Sequence, residues 1–299
     1  MRTDCKSGHS AAGRALGSFF VLVALLQPLS CSRHEQVKPL VPETEPVTTV
    51  LMPSRMNEAE PVRLLVMLHG FNQTEQQFND IWDWGFFYQP NFILASIRAP
   101  FRAEEGYGWT AKGASYLDVP EAKRLERFAA TAEQRIMAQL DTLSRRHNID
   151  PDKVYITGAS QGAAIAAYVF LKHPDVFAGL GLIVGNMDAR ISRMPAAGAL
   201  EGMPVFLSVG EREGDQVVEA MEKTEQLFAE AGADVRFYLH PEGHVMTQPV
   251  IRAMQNQLGL SLSEAPEVEC VEISPGRFDD EGHKEQTPPV EDEYDYEDE

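Results

Sequence analysis

The sequence predicts an α/β fold: a doubly wound, mostly parallel sheet with helices on both faces. Three observations carry this. Between residues 61 and 260, short apolar runs rich in Val, Ile and Leu alternate with segments of helical periodicity. The spacing is about 30 residues per strand–helix unit, which suits one domain of roughly 200 residues. Hydrophobic residues make up 43% and charged residues 24%, enough apolar material for a sizeable core.

Taken in order, Arg63–Leu68 (RLLVML) and Asn91–Ser96 (NFILAS) read as the first core strands, with a further strand expected around Val47–Met52. Glu121–His147 places Leu125, Phe128, Ala132, Ile136, Leu140 and Leu143 at helical spacing, and Asp118, Pro120 and Glu121 signal its start. Lys153–Thr157 is a strand, Gln161–Lys172 a helix and Leu180–Val184 a strand. Val205–Val209 is a strand, Gln216–Ala231 a helix, Val235–His240 a strand, and Pro249–Leu258 a closing helix.

The ends differ from this body. Residues 1–31 pair a basic start with the apolar run Ala15–Leu26, too short for a bilayer span but suited to an export signal. Ser30-Cys31 then resembles a bacterial lipoprotein signal, in which Cys31 becomes the lipidated N-terminus. The expectation is an exported protein of the cell envelope, anchored by lipid at Cys31; a periplasmic or secreted protein is the alternative. With Cys5 removed and Cys31 acylated, Cys270 has no partner for a disulfide. Residues 32–60 carry Pro39, Pro42, Pro46 and Pro53 and read as a tether, and 61–262 as the catalytic domain. Residues 263–299 hold fifteen Asp and Glu against Arg277 and Lys284, which predicts a disordered acidic tail. The net charge of −19 argues against a nucleic-acid surface. No His/Cys/Asp cluster falls at metal spacing, so neither metal nor cofactor is expected.

Gly158-Ala159-Ser160-Gln161-Gly162 matches G-x-S-x-G, with VYIT before it and AAIAAYVFL behind. Strand, tight turn and helix is the setting in which a serine is pushed out of a sheet as a nucleophile, with the helix N-terminus beneath developing negative charge. A serine hydroxyl needs a base, and the base needs a carboxylate. Of the four histidines downstream, His173 ends a helix, His240 ends a strand and His283 lies in the tail. His244, in the turn Pro241-Glu242-Gly243-His244, has the reach of a base. The acid belongs after the strand VFLSV, where Glu213 and Asp215 compete. Asp215 is favoured because Val217 and Val218 behind it can fix the loop. The oxyanion donors are expected to be the amides of Gln161 and Phe71, and His69 to brace the loop rather than act as a base.

These residues resemble the α/β-hydrolases, and among them the phospholipase/carboxylesterase group with its acyl-protein thioesterases and feruloyl-type esterases. The resemblance spans about 61–260 and rests on LLVMLHGFNQT, SIRAPFRAEEGYGWT, the stretch around GASQG, and GADVRFYLHPEGHVM. It implies a triad of Ser160, Asp215 and His244 and an oxyanion hole of Phe71 and Gln161. It also implies a small-molecule ester substrate and a Trp109 that lines the substrate pocket. Asn72 stands where a second glycine is usual, and Ala163 follows Gly162 where another glycine is common. The acid loop departs as well, since the pattern G-x-x-D would align Glu213. The expected activity is hydrolysis of short to medium acyl esters through an acyl-enzyme. The alternatives are a depolymerase or peptidase on the same triad, or a catalytically silent, surface-tethered binding protein.

Overall fold

The computed structural model describes residues 37–52, 56–57, 59–80, 91–111 and 120–260. The expected signal, Cys31 and the acidic tail lie outside the described residues. A seven-stranded sheet forms the centre, built from β1 (Thr48–Leu51), β2 (Val62–Leu68), β3 (Phe92–Ile97), β6 (Ile149–Ala159), β7 (Gly179–Ile183), β8 (Pro204–Gly210) and β9 (Asp234–His240). Their order is β1-β3-β2-β6-β7-β8-β9. Every pairing is parallel except that of β1 with β3. A small antiparallel pair, β4 (Phe101–Arg102) and β5 (Tyr107–Gly108), follows β3. This is the architecture the alternating pattern predicts.

Side chains alternate across β2: Leu64, Val66 and Leu68 join one buried cluster, Leu65 and Met67 the other. The first cluster takes its helical residues from α2 (Glu121–Arg146), α3 (Gln161–Lys172) and α4 (Asp215–Glu230). The second takes Phe78 of α1 (Glu75–Asp80) and Val250, Ile251 and Met254 of α5 (Gln248–Gln257). Both faces are therefore dry, which is why the central strands are continuous apolar runs. α2 carries Glu121 in its first turn and Arg145 and Arg146 in its last, each favourable to the helix dipole.

The segment expected to be a tether is a correction. Residues 37–52 pack with the body, and β1 bears out the strand expected around Val47–Met52. β1 completes the sheet edge, the Leu40 amide donates to Thr131 Oγ1 at 2.7 Å, and Thr48 Oγ1 donates to Gln139 Oε1 at 2.7 Å. Arg135 of α2 is 6% exposed, and its guanidinium donates to Thr44 Oγ1, to the Thr44 carbonyl and to the Ala99 carbonyl. Its pKa falls because burial disfavours the cation. Prolines hide this from a composition reading, since an edge strand and an extended clasp need few of the amides that proline lacks.

Candidate active site

β6 and α3 meet at Ser160, whose backbone is held at φ 52° and ψ −119°. A non-glycine residue at positive φ is costly and persists only where its surroundings enforce it. Here the Ser160 amide donates to the Ile183 carbonyl on β7 at 3.0 Å, and the Ser160 carbonyl accepts from the Ala163 amide at 3.0 Å. The flanking glycines are sterically required. A Cβ on Gly158 would lie 2.2 Å from the Gly162 carbonyl oxygen, and one on Gly162 would lie 2.3 Å from that of Leu68. The second contact seats the N-terminus of α3 against the end of β2, beside the loop His69-Gly70-Phe71-Asn72.

That loop is held from several sides. The Gly70 amide donates to Gln73 Oε1 at 2.8 Å, the Asn72 amide donates to the Tyr107 carbonyl at 2.9 Å, and the Tyr107 amide donates to the Gln73 carbonyl at 2.9 Å. Asn72 takes φ 64° and its Oδ1 accepts from the amides of Glu105 and Gly106. Asparagine tolerates that left-handed geometry, which explains how it stands where a second glycine is usual. His69 is fully buried; its Nδ1 donates to the Gly70 carbonyl at 2.8 Å and its Nε2 accepts from the Ala99 amide at 3.1 Å. Both ring nitrogens are occupied, so His69 braces the loop, as its position in the sequence suggested.

Burial lowers the His69 pKa to about 4, against smaller upward pulls from the Gly70 carbonyl and Glu75. The unfolded chain therefore takes a proton at His69 before the folded one does. The stabilisation from a neutral His69 is complete above pH 6.5 and is lost as pH falls toward 4. It amounts to about 3 kcal/mol across that window. Urea unfolding at pH 7.5 and pH 4.5 is expected to show a steeper loss for the wild type than for His69→Asn. Equal losses would refute the assignment.

On the other side of the site, Glu213 closes a single 3₁₀ turn (Glu211–Glu213) after β8, and His244 sits in the turn after β9. His244 Nδ1 lies 2.7 Å from Glu213 Oε2, while Glu213 Oε1 accepts from the Gly210 amide at 3.3 Å. The Glu213 side chain is 6% exposed and that of His244 is 53% exposed, so a buried acid orients a ring open to the cleft. The two turns are in direct contact. The Arg212 amide donates to the Glu242 carbonyl at 3.1 Å, and a Cβ on Gly210 would meet the carbonyls of Glu242 and Gly243 at 2.4 Å. Ser160, Gln161, Glu213 and His244 border one cleft of about 640 Å³.

A family model for the esterase PHB depolymerases matches residues 128–212. MhqD of Bacillus subtilis (strain 168) is 25% identical over 185 residues, which is 62% of this chain and 86% of that protein. Poly(3-hydroxyalkanoate) depolymerase C of Paucimonas lemoignei is 42% identical over 138 residues, 45% of this chain and 30% of that one. The Bacillus cereus carboxylesterase superposes with a TM-score of 0.57 at 18% identity, covering 73% of this chain and 96% of its own. YahD, solved with malic acid, gives 0.56 at 18% identity and covers 73% and 100%. The chain has the α/β-hydrolase fold. In sequence it is similar to hydrolases of the esterase and depolymerase type.

Two expectations for this site need correction. Asp215 does not meet His244. Gly214, at φ 91°, ends the 3₁₀ turn, and Asp215 becomes the exposed first residue of α4, where its charge suits the helix dipole. Glu213 holds the ring instead. Trp109 does not line the cleft. It is fully buried; its Nε1 donates to the His69 carbonyl at 2.7 Å and its amide donates to Gln161 Oε1 at 2.7 Å. With Gln161 Nε2 donating to Thr110 Oγ1, the indole region ties the loop after β2 to the start of α3. The cleft has two walls. One is the backbone from Val184 to Arg190, which starts with Val184 at φ 42°. The other is a face of α4 including Val217, Ala220, Thr224 and Leu227. Their helical spacing was visible, but such a stripe usually marks core.

Proposed function

We propose that the hydrolase cleaves carboxylic esters through an acyl-enzyme on Ser160, with His244 as base and Glu213 as its acid. The observation that carries this reading is the Glu213–His244 pair opening on the cleft that Ser160, in its positive-φ elbow, also borders. In the reading, His244 Nε2 takes the Ser160 proton as Oγ attacks the ester carbonyl. The amides of Phe71 and Gln161 receive the oxyanion; the Gly70 amide is already engaged by Gln73. Collapse expels the alcohol, protonated by His244, and water repeats the sequence to release the acid. A fluorophosphonate probe is expected to label Ser160, and 4-nitrophenyl esters from acetate to palmitate to be turned over best at short to medium length. No labelling and no ester turnover would overturn the reading.

A second reading, cleavage of ester bonds within a polyester, is favoured by the 42% identity over 138 residues to the Paucimonas lemoignei depolymerase. Release of soluble hydroxy acids from a polyhydroxyalkanoate film would support it; turnover of soluble esters alone would remove it.

For localisation we propose export and lipid attachment at Cys31. A lipidated cysteine with more than one acyl chain anchors stably where a single chain does not. Cys31→Ser is expected to move the protein from the membrane to the soluble fraction. A wild-type protein that is already soluble, with another residue at its mature N-terminus, would refute this.

A further inference from the structure

The cleft beside Ser160 carries four charged residues, and three of them are committed. Glu213 is bound to His244 and to the Gly210 amide. Asp188 and Arg190 are paired at 2.7 Å, and Arg190 also reaches Glu121 at 2.6 Å. The fourth, Lys223 on α4, makes no ion pair among the described residues. Its neighbours along the same helix face are Val217, Ala220, Thr224 and Leu227, and the Thr224 hydroxyl is satisfied by the Ala220 carbonyl. The α4 side of the cleft is thus a mostly apolar surface with an exposed lysine that is outside any ion pair among the described residues. Two positive and two negative residues line the cleft, so it is balanced where the protein as a whole is strongly negative. A few convergent polar groups on an apolar wall are what orients a bound ligand, and a local cation within a negative protein selects for the opposite charge.

We infer that Lys223 receives an anionic group on the substrate, so the preferred esters carry a free carboxylate at the end away from the scissile bond. The inference rests on the ester-hydrolase reading and deepens it. An apolar spacer lies along the α4 face while the carboxylate meets the ammonium, and the bond changes at Ser160 stay as described above.

The test compares mono-4-nitrophenyl esters of succinate, adipate and suberate with their methyl-capped counterparts, at low ionic strength. For at least one length, the wild type is expected to favour the free acid in kcat/KM by about fivefold, the scale of one partly solvated ion pair. Lys223→Arg should retain the preference, Lys223→Met should bring the ratio to about one, and Lys223→Glu should invert it. High salt should compress the wild-type ratio, since the pair is open to solvent. A wild type that favours the capped ester at every length, or a Lys223→Met variant that keeps the acid preference, overturns the inference. Capped-ester turnover that requires Ser160 but shows no acid preference would sink this inference alone. Absence of any Ser160-dependent turnover would sink the ester-hydrolase reading with it.

Discussion

Ser160→Ala is expected to lower ester turnover by a factor of about 10³ or more while leaving the melting temperature close to that of the wild type. The reason is local. Ser160 Oγ is the protein atom that the proposed mechanism bonds to the acyl carbon. A residue without Oγ leaves the oxyanion donors and the binding wall in place but removes the covalent step. The backbone at φ 52° is enforced by the bond to Ile183 and by the packing of Gly158 against Gly162, not by the hydroxyl, so alanine can occupy it. Residual turnover near the uncatalysed rate, with loss of fluorophosphonate labelling, is the expected pattern. Wild-type turnover in this variant would show that Ser160 does not form the acyl-enzyme. Turnover that disappears on adding a chelator would point to metal chemistry instead.

Glu213→Gln is expected to be almost as damaging, lowering kcat by about 10³ to 10⁴, whereas Asp215→Asn should change it by less than about threefold. An amide at 213 can still reach His244 Nδ1, but it neither fixes the productive tautomer as a carboxylate does nor balances the imidazolium that forms when Ser160 is deprotonated. Because the Glu213 side chain is 6% exposed, water cannot substitute for it. Asp215 lies in solvent at the start of α4, so its neutralisation removes only a modest helix-dipole interaction. Glu213→Asp discriminates further: the shorter side chain retracts from the ring, and partial activity is expected. If Asp215→Asn proved the more harmful substitution, the acid would have to be reassigned and the His244 turn would have to move in the reactive state.

Much of this was readable before any coordinates. The order of elements followed from apolar runs interrupted at helical spacing, because both faces of a parallel sheet must be covered and the strands therefore lose their polar alternation. The G-x-S-x-G elbow was readable because its glycines answer a contact between adjacent elements, β6 and α3, that chain proximity imposes. The bracing role of His69 followed from its place before Ser160 in the chain.

Other features were decided only by the tertiary structure. Glu213 and Asp215 are two residues apart on a turn that runs into a helix, and side chains at that spacing do not face the same way. Which one reaches His244 depends on Gly214 at φ 91°, and on the contact between the turns after β8 and β9. The two turns are brought together by the pairing of β8 with β9. Trp109 was legible as an aromatic, but not as a buried donor to the His69 carbonyl. The clasp of residues 37–51 was masked by its prolines and by a buried arginine whose partners are carbonyl oxygens rather than carboxylates. The sequence by itself determined what contacts between consecutive elements and hydrophobic periodicity can encode: the α/β layers, the elbow and the turn after the last strand that carries His244. The tertiary structure decided what rests on non-local pairing and side-chain direction: which carboxylate meets His244, the cleft walls and the N-terminal boundary of the body.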